Sequence, residues 1–301
     1  MCGIVGYLER GGERVGVGRI ILQMLEALGC RGPDSAGVAL YSGRPAGELV
    51  LRVKLGDDGH PEAHAAQVVE QAGKMGQVLQ AERTAEYLRL VMDCQEPPQH
   101  LERAIETAGA GVEVVSMGRQ LEIIKQVGSP QNLDTTYAIS GLVGTHGIGH
   151  TRLSTESRID LSHSQPFWAH GRPDLAVVHN GHITNYHKLR RCYEQCQRRF
   201  YTENDSEIIG MYLGERLAEG MSLREAMDAS MRDLDGSFSY LVATPDEFGF
   251  AKDPFAFKPL LFAQTGRFVA VATEEIALRA AIGGEYEVRE AQAGEVRVWQ
   301  R

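Results

Sequence analysis

No apolar run in these 301 residues approaches the roughly 20 needed to cross a bilayer. The N-terminus also lacks the basic start and long apolar stretch of a secretory leader. Membrane insertion and export are therefore not expected, and a cytoplasmic location is. Cysteine is sparse and odd in number, with five residues at 2, 30, 94, 192 and 196, which suits reduced thiols rather than a disulfide framework. Cys192 and Cys196 stand one helical turn apart, yet no second Cys/His pair adjoins them to complete a zinc site. A cysteine cluster for iron–sulfur, a glycine-rich phosphate loop and a recognisable flavin site are all missing, so no cofactor or metal is expected. Positive charge is in deficit, and the net charge of −9 argues against nucleic acid or an anionic membrane as partner. The one basic stretch, Lys188-Leu-Arg-Arg-Cys-Tyr-Glu-Gln-Cys-Gln-Arg-Arg, reads as the solvated face of a helix or a protein-docking surface. Internal repeats and low-complexity tracts are also missing.

What remains is an ordinary globular composition, 43% hydrophobic and 24% charged, on a chain long enough for a large core. Residues 2–9 alternate as a strand does, and Ile20, Ile21, Met24, Leu25 and Leu28 recur at helical spacing over 17–28. Strands are expected at 38–41 and 48–55. Residues 57–130 read differently, as a small α/β insertion with helices at 62–71 and 98–108 and strands at 87–92, 112–116 and 121–127. Beyond 138, strands are expected at 144–151, 175–179, 237–243, 247–252, 259–264 and 268–273. Helices are expected at 184–199, 205–219, 222–233 and 274–281. Short turns between strands, such as the one holding Pro245 and Asp246, predict antiparallel sheet rather than a doubly wound parallel fold.

Chemistry enters with Cys2. Loss of an initiator methionine would give that residue both a thiol and a free α-amine, a nucleophile and a base in one place. Its structural alternative is a small apolar residue opening a buried strand. Arg31-Gly-Pro-Asp-Ser-Ala-Gly fixes Asp34 and Ser35 in a turn, which is equally the pattern of a plain loop. Gly149-His-Thr-Arg-Leu-Ser-Thr ends a strand on an arginine suited to bidentate capture of a carboxylate, or to an ordinary ion pair. His146 and His150 bracket glycines in that strand, which argues against a shared metal. Val177-Val-His-Asn-Gly-His-Ile-Thr-Asn runs a strand into Asn-Gly, either a tight turn or a pair of oxyanion donors. In Thr202-Glu-Asn-Asp-Ser-Glu, Asp205 or Ser206 can cap a helix, or the Asp205 carboxylate can meet a substrate ammonium.

Taken together, Cys2-Gly-Ile-Val-Gly, Arg31-Gly-Pro-Asp-Ser-Ala-Gly, Gly149-His-Thr-Arg, His179-Asn-Gly and Asn204-Asp-Ser-Glu resemble, in order and spacing, the class II glutamine amidotransferases. These belong to the N-terminal-nucleophile hydrolases, and the likeness covers residues 1–42 and about 135–285. The resemblance implies an α+β fold, a four-layer αββα sandwich, with 1–301 as one amidotransferase domain carrying the 57–130 insertion. It implies that Cys2 attacks the carboxamide of L-glutamine and that its own α-amine serves as base. Asn180, by its side chain, and Gly181, by its N–H, match the oxyanion hole. Arg152 matches the residue that holds the glutamine α-carboxylate, Asp205 the one that binds its α-ammonium, Thr155 a residue shaping the pocket, and Arg31 one near the nucleophile.

The departures narrow the likeness. Sugar-amidating relatives have an aromatic residue after the arginine and a histidine after the threonine, where this chain has Leu153 and Glu156. Arg152-Leu-Ser-Thr and Ser164-Gln-Pro-Phe are closer to the glutamate-synthase side of the family. The whole is most similar to the stand-alone glutaminase subunits of glutamate-synthase-like and N-methylglutamate-synthase complexes. The chain ends less than a hundred residues after Asp205, room to finish the sandwich but not for a synthase domain. A separate synthase subunit, carrying flavin or iron–sulfur, is therefore the expected receiver of the ammonia, with the insertion as its docking surface. The alternatives are a glutaminase serving an amino sugar or nucleotide precursor, and a non-catalytic glutamine sensor.

Overall fold

The computed structural model describes residues 2–43, 47–153 and 158–301. Elements are numbered in chain order. The first sheet runs β15 (Arg289–Glu290), β13 (Leu261–Gln264), β14 (Phe268–Ala272), β1 (Gly3–Glu9), β8 (His146–Arg152), β2 (Ser35–Tyr41) and β7 (Leu121–Val127). A second sheet runs β16 (Val296–Gln300), β12 (Glu247–Lys252), β11 (Gly236–Ala243), β10 (Ala176–Ile183) and β9 (Phe167–Trp168). Every pairing in both is antiparallel, as the short turns predict.

The period of two along each strand builds the layers. On β1, Ile4 and Leu8 face the second sheet and join Val178, Leu241, Phe248 and Phe250 in one core. Val5 and Tyr7 point the other way, onto α1 (Val17–Ala27), whose Ile21, Met24 and Leu25 bury against them. Helices α4 (Pro130–Tyr137) and α8 (Glu275–Ala281) complete that outer layer. On the far side, Val177 and Tyr240 turn outward onto α6 (Ser206–Ala218) and α7 (Leu223–Asp233). A capping box between Ser222 and Glu225 starts α7. The order is helix, sheet, sheet, helix.

A third sheet stands apart: β4 (Gln77–Thr84), β5 (Tyr87–Asp93), β3 (Leu49–Leu55) and β6 (Val112–Gly118). Helices α2 (Pro61–Met75) and α3 (Pro98–Glu106) cover it. The layer with its own sheet thus spans Leu49 to Gly118, since β3 pairs with β5 and β6, while β7 pairs with β2 in the first sheet. Strand β4 was not expected, because it is an edge strand with mostly exposed side chains and so carries no apolar alternation.

The expected helix over 184–199 is shorter in the structure, α5 (Tyr186–Gln195), and stops at Cys196. No described helix is long and apolar enough to cross a membrane.

Candidate active site

Two strand ends of the first sheet meet first. The β1–β8 register pairs Gly3 with Thr151, which brings Cys2 beside Arg152, and β2 flanks the other side with Ser35 opposite Arg152. The turn before β2 packs hard against this point. A Cβ on Gly32 would lie 2.5 Å from the Arg152 nitrogen and the Thr151 carbonyl carbon, so glycine is required there. Arg31 in that turn donates from Nε to the Cys2 carbonyl oxygen at 3.4 Å and is ion-paired with Glu274. The structure therefore places Arg31 on the backbone of Cys2.

The second sheet supplies the facing wall. Strand β10 does not turn at Asn-Gly but continues through Asn180 and Gly181 to Ile183, paired with β11 throughout. Gly181 has φ of +137°, and a Cβ there would sit 2.2 Å from the Ser237 carbonyl oxygen. Only glycine keeps the strand in register and leaves the N–H unscreened. Asn180 Nδ2 donates to the Cys2 carbonyl oxygen at 3.2 Å, which joins the two sheets at Cys2. Cys2 Sγ lies 3.7 Å from the Leu153 carbonyl oxygen.

Asp205 precedes α6 at the cap position, but its side chain makes no cap hydrogen bond. Asn204 Oδ1 instead accepts from the Ser206 N–H at 3.0 Å. That frees the Asp205 carboxylate to turn toward β10, where Oδ2 accepts from the Ile183 N–H at 2.8 Å and His182 Nδ1 stands 3.5 Å away. The reading of Asp205 as a helix cap is thus replaced by one in which its neighbour caps and the carboxylate faces the site.

Cys2, Arg152, Asn180, Gly181 and Asp205 all line one cavity of about 1170 Å³. Thr155 lies outside the described residues. Arg152 is buried, and burial holds its guanidinium below the ordinary arginine range, opposed by Cys2, Asp160 and Asp34. It donates to the Arg158 carbonyl oxygen at 2.8 Å. A cation, a carboxylate and two potential oxyanion donors around a thiol can clamp a free amino acid and polarise an amide.

Burial disfavours the charged form of three histidines around the site, of which His179 itself lines the cavity. Burial pushes His150 down to about 3, helped by Arg152 and His179, and pushes His179 down as well. His146, stacked on Tyr41 at 4.3 Å, is pushed down to about 4 by burial and bonds the Thr244 carbonyl. Among the described residues, no cluster of three or more His, Cys, Asp or Glu is arranged to hold a metal. Cys192 and Cys196 line a different cavity of about 490 Å³, between α5 and α6.

Three contributors escaped the sequence reading. Gln165 grips His179 twice, accepting its N–H at 2.6 Å and donating to its carbonyl at 3.0 Å, which fixes the approach to Asn180. Ser164-Gln-Pro-Phe flagged that residue only as a mark of relationship. Glu274 anchors Arg31 from a distant part of the chain, with no local pattern to announce it. Tyr201 enters the cavity wall from the loop before α6.

The layers are those of the N-terminal-nucleophile type of amidotransferase fold. Over 99% of its length the chain superposes on a solved allosteric regulatory enzyme of purine biosynthesis with a TM-score of 0.65 at 20% identity, covering 46% of that chain. A glutamine phosphoribosylpyrophosphate amidotransferase from B. subtilis gives 0.63 at 20% identity over 98% of this chain and 46% of its own. At that identity the likeness concerns fold alone. The model of a glutamine amidotransferase domain matches residues 150–280. A putative glutamine amidotransferase of Methanothermobacter thermautotrophicus is 38% identical across the full length of both chains. The glutamine amidotransferase-like protein GlxB of Rhizobium meliloti is 33% identical over 92% of this chain and 91% of its own. The chain belongs to the class II glutamine amidotransferases, enzymes whose substrate is glutamine.

Proposed function

We propose that this protein hydrolyses L-glutamine through a γ-glutamyl thioester on Cys2 and passes the ammonia to a separate synthase subunit. The observation that carries the catalytic reading is the convergence of Cys2, Arg152, Asn180, Gly181 and Asp205 on one cavity. Removal of Met1 exposes the α-amine, which takes the thiol proton. The sulfur then attacks the carboxamide carbon. Asn180 Nδ2 and the Gly181 N–H hold the oxyanion that forms. Collapse breaks the C–N bond, and the α-ammonium returns its proton to the departing ammonia. Water, deprotonated by the same amine, next adds to the thioester, and the C–S bond breaks to give glutamate and the free thiol.

Arg152 and Asp205 bind the α-carboxylate and α-ammonium, which selects free glutamine over a peptide-bound residue. Arg31 contributes by holding the Cys2 carbonyl. Thr155 follows Arg152 closely enough in sequence to shape the same pocket. The acceptor side rests on Arg152-Leu-Ser-Thr and Ser164-Gln-Pro-Phe, which place the chain nearer glutamate-synthase-type or N-methylglutamate-synthase-type glutaminases than sugar-amidating ones. The layer from Leu49 to Gly118 is the proposed docking face. Five free cysteines support a reducing, cytoplasmic setting.

The test measures glutamate and ammonia released from L-glutamine by the purified chain and by Cys2→Ala. Stoichiometric release abolished in the variant supports the reading, and equal release in both defeats it. Co-purification from the native host decides the acceptor. A flavin or iron–sulfur synthase chain is expected, whereas an amino-sugar or nucleotide enzyme in its place would overturn that part.

A further inference from the structure

Helix α3 of the added layer reaches across to the main domain with two carboxylates on one face, Glu102 and Glu106. Both are buried, at 6% and 4% side-chain exposure. Between them sits the phenol of Tyr201, whose hydroxyl lies 2.7 Å from Glu102 Oε1 and 2.9 Å from Glu106 Oε2. His170 stacks on the Tyr201 ring at 4.0 Å and donates from Nδ1 to Glu102 at 2.6 Å. Arg199 pairs with Glu106 at 2.8 Å, and the Val114 N–H of β6 donates to its other oxygen at 3.2 Å.

Tyr201 is also part of the cavity wall, four residues before Asp205. The segment between is wound tight. Glu207 accepts from the Tyr201 and Thr202 N–H groups, Thr202 Oγ1 accepts from the Asn204 N–H, and Asn204 caps α6. A chain of hydrogen bonds thus links the backbone of Tyr201 to the cap of α6, next to Asp205. We propose that Tyr201 is a positioning residue for Asp205, and that the added layer sets the ammonium subsite of the glutamine pocket through the Glu102–Tyr201–Glu106 clamp. This rests on the proposed role of Asp205 and adds a route by which a partner docked on the layer changes glutamine binding.

The clamp has a charge problem that makes it testable. The phenol has one proton for two carboxylates, so under the proposal both contacts are hydrogen-bonded at once when Glu106 also carries a proton, and one bond is lost when both carboxylates are ionised. Burial, then the neighbouring Glu102 charge, pushes Glu106 up to about 7, against the pull of Val114, Tyr201 and Arg199. The groups facing it are Glu102 on its own helix, Tyr201 and Arg199 from the loop before α6, and the Val114 amide. From α2, packed on α3, no ion pair to Glu106 comes among the described residues.

The experiment is steady-state glutaminase kinetics of the full chain between about pH 6 and pH 8 for wild type, Tyr201→Phe, Glu106→Gln and Asp205→Asn. Tyr201→Phe should raise KM for glutamine about five- to tenfold with kcat nearly unchanged. Wild-type KM should climb through the titration of Glu106, and Glu106→Gln, isosteric and always neutral, should remove that climb while matching wild type at the acid end. Unchanged KM in Tyr201→Phe, or a wild-type pH profile in Glu106→Gln, overturns the proposal. So does a loss of thermal stability and kcat with KM untouched, the mark of a merely structural contact. Should Tyr201→Phe fail to fold, Glu106→Gln decides alone. If Asp205→Asn leaves KM unaltered, the role of Asp205 falls, and the clamp as its positioner falls with it. A raised KM in Asp205→Asn beside an unmoved one in Tyr201→Phe overturns only the clamp.

Discussion

The side-chain amide of Asn180 donates to the carbonyl oxygen of Cys2 at 3.2 Å, so the proposed oxyanion donor is tethered to the proposed nucleophilic residue. The two come from different sheets. Their contact joins the facing layers at the proposed point of reaction. It also orients the amide before substrate arrives, which is the condition for strong electrostatic catalysis.

Asn180→Ala should therefore lower kcat by about 10²–10³ while leaving KM within a few-fold, because the donor acts on the transition state. Turnover of glutamine by the folded variant checks this. A loss smaller than threefold would remove Asn180 from the oxyanion hole.

Asp205→Asn keeps an acceptor for the Ile183 N–H, now bonded at 2.8 Å, and removes only the charge. KM for glutamine should rise about 10- to 100-fold, the worth of a hydrogen bond to a charged group. A glutamine analogue lacking the α-amine should bind wild type and variant alike. Equal sensitivity of both enzymes to that deletion would contradict the assignment.

The contrast between Asn180-Gly181 and Glu274 shows what could be read from the chain alone. Motifs that are local in sequence, such as those around Cys2, Arg152, Asn180 and Asp205, announce their residues because each needs a special backbone: a strand end, a positive φ, a helix start. The antiparallel spacing and most helices were legible for the same reason. Edge strand β4 was not, since exposure erases alternation. Glu274 and the Glu102–Tyr201 contact were not, since a buried ion pair or hydrogen bond between distant segments leaves no periodic trace. Nor was it visible that Asn204, not Asp205, supplies the cap, because both side chains suit that position equally.

Gly181→Ala should destabilise the fold by about 2–4 kcal/mol, combining a φ of +137° with a 2.2 Å approach to the Ser237 oxygen. Gly283→Ala, where a Cβ meets nothing within 4 Å, is the control and should stay within about 0.5 kcal/mol. Denaturant midpoints of the two variants measure the difference. A Gly181→Ala protein as stable as the control would mean that β10 and β11 are not packed as described.

Glu106 gives a stability signature with a definite sign. In the folded chain it keeps its proton to about 7, against an ordinary value near 4.5. Across that interval the unfolded chain binds fewer protons, so the contribution is present below the lower value and is lost as pH rises through the upper one. Wild type should lose stability relative to Glu106→Gln over this window, by at most about 3 kcal/mol. Parallel urea titrations at several pH values test it, and a constant difference between the two proteins would contradict it.

The central claim is that an exposed N-terminal Cys2 is the nucleophile, and intact-mass analysis of the native protein after exposure to a diazoketone analogue of glutamine tests it most directly. The account predicts a chain without Met1, a single adduct mapping to the Cys2 peptide with loss of dinitrogen, and no adduct on Cys2→Ala. A fully active protein that retains Met1, or an adduct that survives Cys2→Ala, would contradict it.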